Sequence, residues 1–256
     1  MPFAGWRPPA RWLWVGGRLL AARWQAAGIY GGFALFVGLL CALALSTTPS
    51  GALRWTVSSY ALGPYGELAR LALICLGVGS FAVSARLTTG CAGGAHKVLA
   101  ALPCVWATGA VVDAFVNADP GRVRTVHGAF HIGVAITACV VLLVATVLLS
   151  WIMRGRGGGT AVACWSAGAL VWASALWVAI TPVGLSGLSE RVLFAAAIYW
   201  MLVAVRVLDR ATGELTGRPG QSRGSEQRRG ALHELDHDAV RVGHETDAQR
   251  VETCAG

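Results

Sequence analysis

The chain has 256 residues, 55% of them hydrophobic and 13% charged, with a formal net charge of +8. Soluble domains average about 25% charged residues, so this composition excludes an ordinary soluble globular protein and points to a membrane. The basic residues are dispersed and accompany no nucleic-acid-binding motif, which argues against a nucleic-acid partner.

Residues 1–26 carry Arg7, Arg11, Arg18 and Arg23 among four tryptophans and show no small-residue cleavage site, so a removable signal peptide is not expected. Arg, Trp and Leu between Trp12 and Trp24 suit a short helix lying at the membrane interface, where indole rings and basic groups both sit comfortably. A disordered basic arm is the alternative. Six apolar runs follow, Ala27 to Thr47, Glu67 to Arg86, Val98 to Val116, Val126 to Trp151, Thr160 to Pro182 and Arg191 to Leu208. Each is close to the roughly 20 residues that cross hydrocarbon as a helix. The runs lack the alternation of barrel strands, and lipid offers an open backbone no hydrogen-bond partner. The expected fold is all-α, a polytopic bundle of six transmembrane helices over residues 27–208.

Gly28 and Gly32 in the first run form a small-xxx-small pair that would let its helix approach a neighbour closely, within the bundle or in a dimer. The longest connection, Thr48 to Gly66, holds Pro49, Gly51, Gly63, Pro64 and Gly66, which favour turns. Its segment Ser58 to Gly66 suits a cap over a cavity, or plain loop packing. Beyond Leu208 the composition turns polar, and residues 209–256 are expected to be a disordered tail, too poor in apolar surface to offset chain entropy. His233-Glu234-Leu235-Asp236-His237 in this tail matches H-E-x-x-H, but no scaffold or third ligand surrounds it.

Basic residues at the span ends give an orientation. The arm, the links with Arg86, Lys97, Arg154 and Arg156, and the tail from Arg206 and Arg210 fall on one side. The positive-inside rule therefore puts both termini in the cytoplasm of a cell whose inner membrane the chain would span. None of the seven cysteines falls in an outer loop, so no disulfide framework is expected.

Asp113, His127 and His131 are nearly the only ionisable side chains inside the apolar runs, and such groups are costly enough in a bilayer to need a reason. On a helix His127 and His131 lie about 40° apart on one face, roughly 6 Å along the axis. The short link from Asn117 to Thr125 makes spans three and four antiparallel neighbours, so Asp113 can face the histidines. Glu190 and Arg191 begin span six on the same outer side, and Glu67 and Arg70 begin span two there. Two imidazoles and a carboxylate could bind a divalent metal such as zinc and activate water. Asp113 could equally orient one histidine as a base, or the group could relay protons. The structural alternative is a network that fixes helix packing, with Glu67 and Glu190 as N-terminal helix charges. Only span four supplies histidines inside the membrane, so bis-histidine haem is not expected.

Ser58 to Gly66 (SSYALGPYG), Asp119-Pro120 followed by Thr125 and His127 to His131 (HGAFH), and Gly187-Leu188-Ser189-Glu190-Arg191-Val192 together resemble the bacterial integral-membrane family called domain of unknown function 998. The resemblance covers about residues 27 to 208 and implies a membrane bundle of six to seven helices without an assigned activity. The Ser, Asp and HxxxH inventory is also loosely similar to that of membrane hydrolases related to alkaline ceramidase. Those have seven spans and carry HxxxH on the last one, unlike this chain. Two functional alternatives stand beside an unassigned polar outer pocket. In a metal-dependent hydrolase of lipid-like substrates, Asp113, His127 and His131 would hold the metal and Glu190 would act as acid or base. Arg191 would bind an anionic head group, and Ser58 and Tyr60 would contact the ligand. In a small-solute or proton-coupled transporter, the same residues would bind the solute or proton.

Overall fold

The computed structural model describes residues 10–90, 94–116, 119, 125–155 and 158–216. Helix α1 spans Ala10–Leu45, followed by two short helices, α2 at Pro49–Arg54 and α3 at Val57–Tyr60. Four long helices come next, α4 at Gly66–Gly90, α5 at Gly94–Phe115, α6 at Val126–Met153 and α7 at Gly158–Ile180. A 3-10 turn at Val183–Leu185 leads into α8 at Ser186–Thr216. There is no strand among the described residues. Six of the helices are long and apolar enough to cross a membrane, over Ala21–Leu45, Gly66–Thr89, Lys97–Phe115, Val126–Met153, Gly158–Ile180 and Val183–Arg210. The expected all-α, six-span architecture is what the chain adopts.

The bundle follows chain order: α4 packs between α1 and α5, α5 against α6, and α6 against α7. The last span is the most buried, with 61% of its most apolar window inside the protein against 28% for the spans of α6 and α7. Phe194 explains this position, meeting Phe36 of α1 at 5.4 Å and Trp106 of α5 at 6.3 Å, both edge to face. On the outward faces of α6 and α7, Ile136, Val140, Val144, Trp165, Trp172 and Leu176 are exposed. Such a belt would be an aggregation surface in water and is the required surface in hydrocarbon.

The small-residue pair in α1 acts within the bundle. A Cβ at Gly32 would stand 2.7 Å from the backbone nitrogen of Gly79, and one at Gly28 would stand 3.0 Å from Cβ of Ala82. Gly32 and Gly79 thus let the backbones of α1 and α4 touch. In α5, Pro103 removes one backbone donor. Nearby, Ser84 of α4 donates to the Ala100 carbonyl at 2.5 Å, a polar contact between the helices beside that break.

Two boundaries differ from the sequence reading. The Trp12 to Trp24 stretch is helical but continues unbroken into the first span, since no proline or glycine pair interrupts Leu19 to Ala27. At the other end α8 runs to Thr216, past the end of the apolar run, and Asp209 pairs with Arg86 at 2.9 Å. The compact bundle itself ends at Arg210. Cys91, Cys254, most of the polar tail and the His233 to His237 motif lie outside the described residues.

Candidate functional site

The connection between the first two spans is built from two capped turns of helix. Thr48 accepts from the Gly51 N–H at 3.2 Å with Pro49 at the first helical position, and Thr56 accepts from the Ser59 N–H at 3.2 Å. Both are N-terminal caps of the expected chemistry. The first turns of α8 hold this segment down. Ser186 Oγ donates to the Arg54 carbonyl at 2.7 Å, and Gly187 lies so close to Trp55 that any Cβ would strike its carbonyl. The Glu190 carboxylate accepts the Val57 N–H at 2.5 Å. Arg191 donates to the Ala52 carbonyl, to the Trp55 carbonyl at 3.4 Å and to the Tyr60 hydroxyl at 3.2 Å. These carbonyls belong to the end of α2, where a helix leaves its acceptors unmatched and a cation is favoured.

Beside this clasp, α5 and α6 bring two ionisable groups together. His131 Nδ1 lies 2.9 Å from the Val116 carbonyl and 3.3 Å from Asp113 Oδ1. A carbonyl can only accept, so Nδ1 carries the proton and donates, and in the neutral ring Nε2 keeps a bare lone pair. No partner for Nε2 occurs among the described residues. Asp113 Oδ1 is buried and makes no hydrogen bond of normal geometry, because the single Nδ1 proton is taken by Val116. The imidazole is therefore anchored at Nδ1 by a backbone carbonyl, with the Asp113 carboxylate beside it as a charge that would stabilise its protonated form.

Asp113 and His131 line a cavity of about 160 Å³ together with Glu190 and Ser58. Leu73, Trp106, Leu193 and Phe194 supply apolar wall, and Cys139 lies among them. The volume is close to the ~150 Å³ of an apolar cavity that takes up benzene. Trp106 is only 3% exposed, and its indole N–H has no partner among the described residues. The wall of one cavity is thus shared by His131, Asp113, Glu190 and Trp106.

Other residues singled out from sequence fall elsewhere. His127 is exposed in the first turn of α6 and does not line the cavity. No group of three His, Cys, Asp or Glu side chains able to hold a metal forms among the described residues, and of Asp113, His127 and His131 the structure brings the first and last together. His131 is a turn further into α6, where the Val116 carbonyl just past the end of α5 meets its ring, whereas His127 lies in the turn beside Asp119. Glu67 pairs with Arg70 at 2.8 Å at the surface. Tyr60 is buried beneath Arg191, its ring edge-on to Trp55 at 5.5 Å. Arg191 has internal partners in place of an open anion site. Trp106, Cys139 and Phe194 were not readable as cavity residues, because apolar runs do not say which of their side chains face inward around a void.

Asp119 has a structural task. Its carboxylate accepts from the Thr125 N–H at 2.7 Å and the Thr125 hydroxyl at 2.5 Å, while Thr125 Oγ1 caps α6 by accepting from the Gly128 N–H at 3.1 Å. Those bonds, with the nearby His127, hold the Asp119 carboxyl below the usual carboxylate range. Gly128 has no side chain because the Asp119 carboxylate occupies that space.

Architecture and site define a six-span helical membrane protein with a small, mainly apolar cavity that Ser58, Asp113, His131 and Glu190 also line. The chain belongs to the family described as protein of unknown function (DUF998), whose profile matches residues 29–207. No curated protein and no solved structure matches it. Described parts of the three segments that carry the family resemblance meet at this end: Val57 and Tyr60 beside Ser58 are held by Glu190 and Arg191 of the α8 segment, and His131 comes from the third.

Proposed function

We propose that this is a multi-pass protein of a bacterial inner membrane, with both termini cytoplasmic, whose cavity binds a small protic ligand on the outer side and exchanges a proton with it. The observation that carries the reading is the His131 imidazole, anchored through Nδ1 beside Asp113 in the wall of a cavity that Glu190 also lines. In this reading His131 accepts a proton from the ligand, Asp113 balances the charge that forms, and Glu190 is the second proton-bearing group. A trans-bilayer proton or solute path has less support. Toward the other end Ser80, Ser84 and Ser150 spend their hydroxyls on helix carbonyls, so these three do not continue a path from the cavity.

Carbethoxylation tests the site, since diethylpyrocarbonate acylates a bare, reachable imidazole nitrogen. His131 is expected to react in the purified protein, and Ala135→Leu, which narrows the cavity, is expected to slow it severalfold while exposed His127 reacts unchanged. Equal rates at His131 in both proteins would remove the cavity as the route to Nε2 and sink the reading. Orientation is checked in a cysteine-free background: Ser50→Cys should take an impermeant maleimide from outside intact cells and Gly155→Cys should not. The reverse pattern would overturn the assigned topology.

A further inference from the structure

Asp119, Thr125, Gly128 and His131 form one arrangement across the hairpin that joins α5 to α6. Val116 stays on the last turn of α5, its N–H donating to the Val112 carbonyl at 3.0 Å, so its own carbonyl is one of the acceptors a helix end leaves unmatched. His131 of α6 donates to it at 2.9 Å. Three residues beyond Val116, both Asp119 carboxylate oxygens accept from Thr125, and the Thr125 hydroxyl oxygen accepts from the Gly128 N–H. The end of α5 is thus held by a residue of α6, and the start of α6 by a residue that follows α5.

The two fastenings lie on one short ring. From Thr125 to His131 it follows α6 for about 9 Å of helical rise, and from Val116 to Asp119 it follows three peptide links that reach at most about 11 Å. A hydrogen bond weakens steeply once its angle falls, whereas apolar packing is non-directional, so these polar contacts fix the depth of α6 against α5 most sharply. Gly128 and His131 are both buried and three apart, hence neighbours on one face of α6. The Asp119 carboxylate fills the space a side chain at position 128 would need, so the ring closes only around a glycine.

We propose that Asp119 is a positioning residue for His131: by holding Thr125 and Gly128 it keeps α6 at the depth where Nδ1 meets the Val116 carbonyl. It thereby fixes the proton on Nδ1 and the lone pair on Nε2. Asp119 does not itself line the cavity, so it acts through this contact. The assignment rests on the acid–base reading of His131 and adds the residue that sets its tautomer.

The test uses the full chain in detergent micelles with nitrogen-15 in its histidine rings, the His131 signals being those absent from His131→Gln. At a pH where the imidazole is neutral, the wild type is expected to carry the His131 proton mainly on Nδ1. Asp119→Ala should raise the share on Nε2 severalfold, as should Gly128→Ala, which displaces the carboxylate without removing its acceptor atoms. Asp119→Asn keeps one oxygen acceptor and gains an amide that can donate to the Thr125 hydroxyl, so it should restore most of the wild-type ratio. Gly133→Ala on the same helix, with nothing within 4 Å of its Cβ position, should leave the ratio unchanged. Helicity and elution as a single species establish that each variant is folded, and Gly128→Ala reads the same contact if Asp119→Ala is not. A wild-type ratio in the folded Asp119→Ala or Gly128→Ala protein, or the same shift in Gly133→Ala, would overturn the positioning role. A wild-type His131 with its proton on Nε2 would instead remove the anchored imidazole itself, and the acid–base reading with it, so the two failures are distinguishable.

Discussion

Gly32→Leu is expected to be the most damaging single substitution in the bundle, lowering stability by about 3 kcal/mol, the upper part of the range for overpacking. A Cβ there would lie 2.7 Å from the Gly79 nitrogen and 2.9 Å from the Cys75 carbonyl oxygen, and these are backbone atoms that cannot rotate away. Relief therefore requires α1 and α4 to separate along their contact, which also loosens Phe33, Phe36 and Leu76 in the shared core. Gly38→Leu on the same helix is the control, since nothing stands within 4 Å of its Cβ position. It should change stability by no more than about 0.5 kcal/mol, as surface substitutions do. Denaturation midpoints of the purified proteins in mixed micelles separate the two, and similar midpoints would mean that α1 and α4 do not meet at Gly32.

The spans were legible because their signal is local: each run carries its own length and hydropathy, and without the alternation of barrel strands the bilayer leaves helix as the solution. The Gly28 and Gly32 spacing was legible for the same reason, though choosing between a bundle contact and a dimer required knowing that Gly79 lies opposite. Long-range pairings were beyond reach. Nothing in Glu190-Arg191 says that these neighbours would grip backbone atoms at Val57, Ala52 and Trp55, more than 130 positions earlier. Thr48-Pro49 and Thr56 could have been read as helix starts, because a hydroxyl cap followed by proline or a short turn is a local code. The Asp, His, His trio divided for a reason that helical geometry cannot supply. The 40° offset sets which face His127 and His131 share, but it does not say that the Val116 carbonyl meets the ring a turn further in while His127 lies beside Asp119.

Glu190 and Arg191 are adjacent on α8, yet substitutions at the two should have separable consequences. Arg191→Leu removes the donors to Ala52, Trp55 and Tyr60 and uncovers the end of α2, so residues 49–61 should exchange amide hydrogens faster. Charge-assisted hydrogen bonds contribute about 1.5–3 kcal/mol, and this site is partly open to solvent, so a loss of about 2 kcal/mol is expected. Arg191→Lys should recover little of it, because an ammonium cannot reach the separate acceptors that a planar guanidinium spans. Glu190→Gln keeps an oxygen to accept the Val57 N–H, so exchange over residues 49–61 should stay near wild type. It replaces a carboxyl that lines the cavity with His131, and the effect should therefore appear in the rate of His131 carbethoxylation. In Arg191→Leu that rate should stay near wild type, since Glu190, Asp113 and His131 all remain. If Glu190→Gln instead frees the α2–α3 segment and leaves the carbethoxylation rate untouched, Glu190 is only a fastener. The proton chemistry of the cavity would then belong to Asp113 and His131 alone.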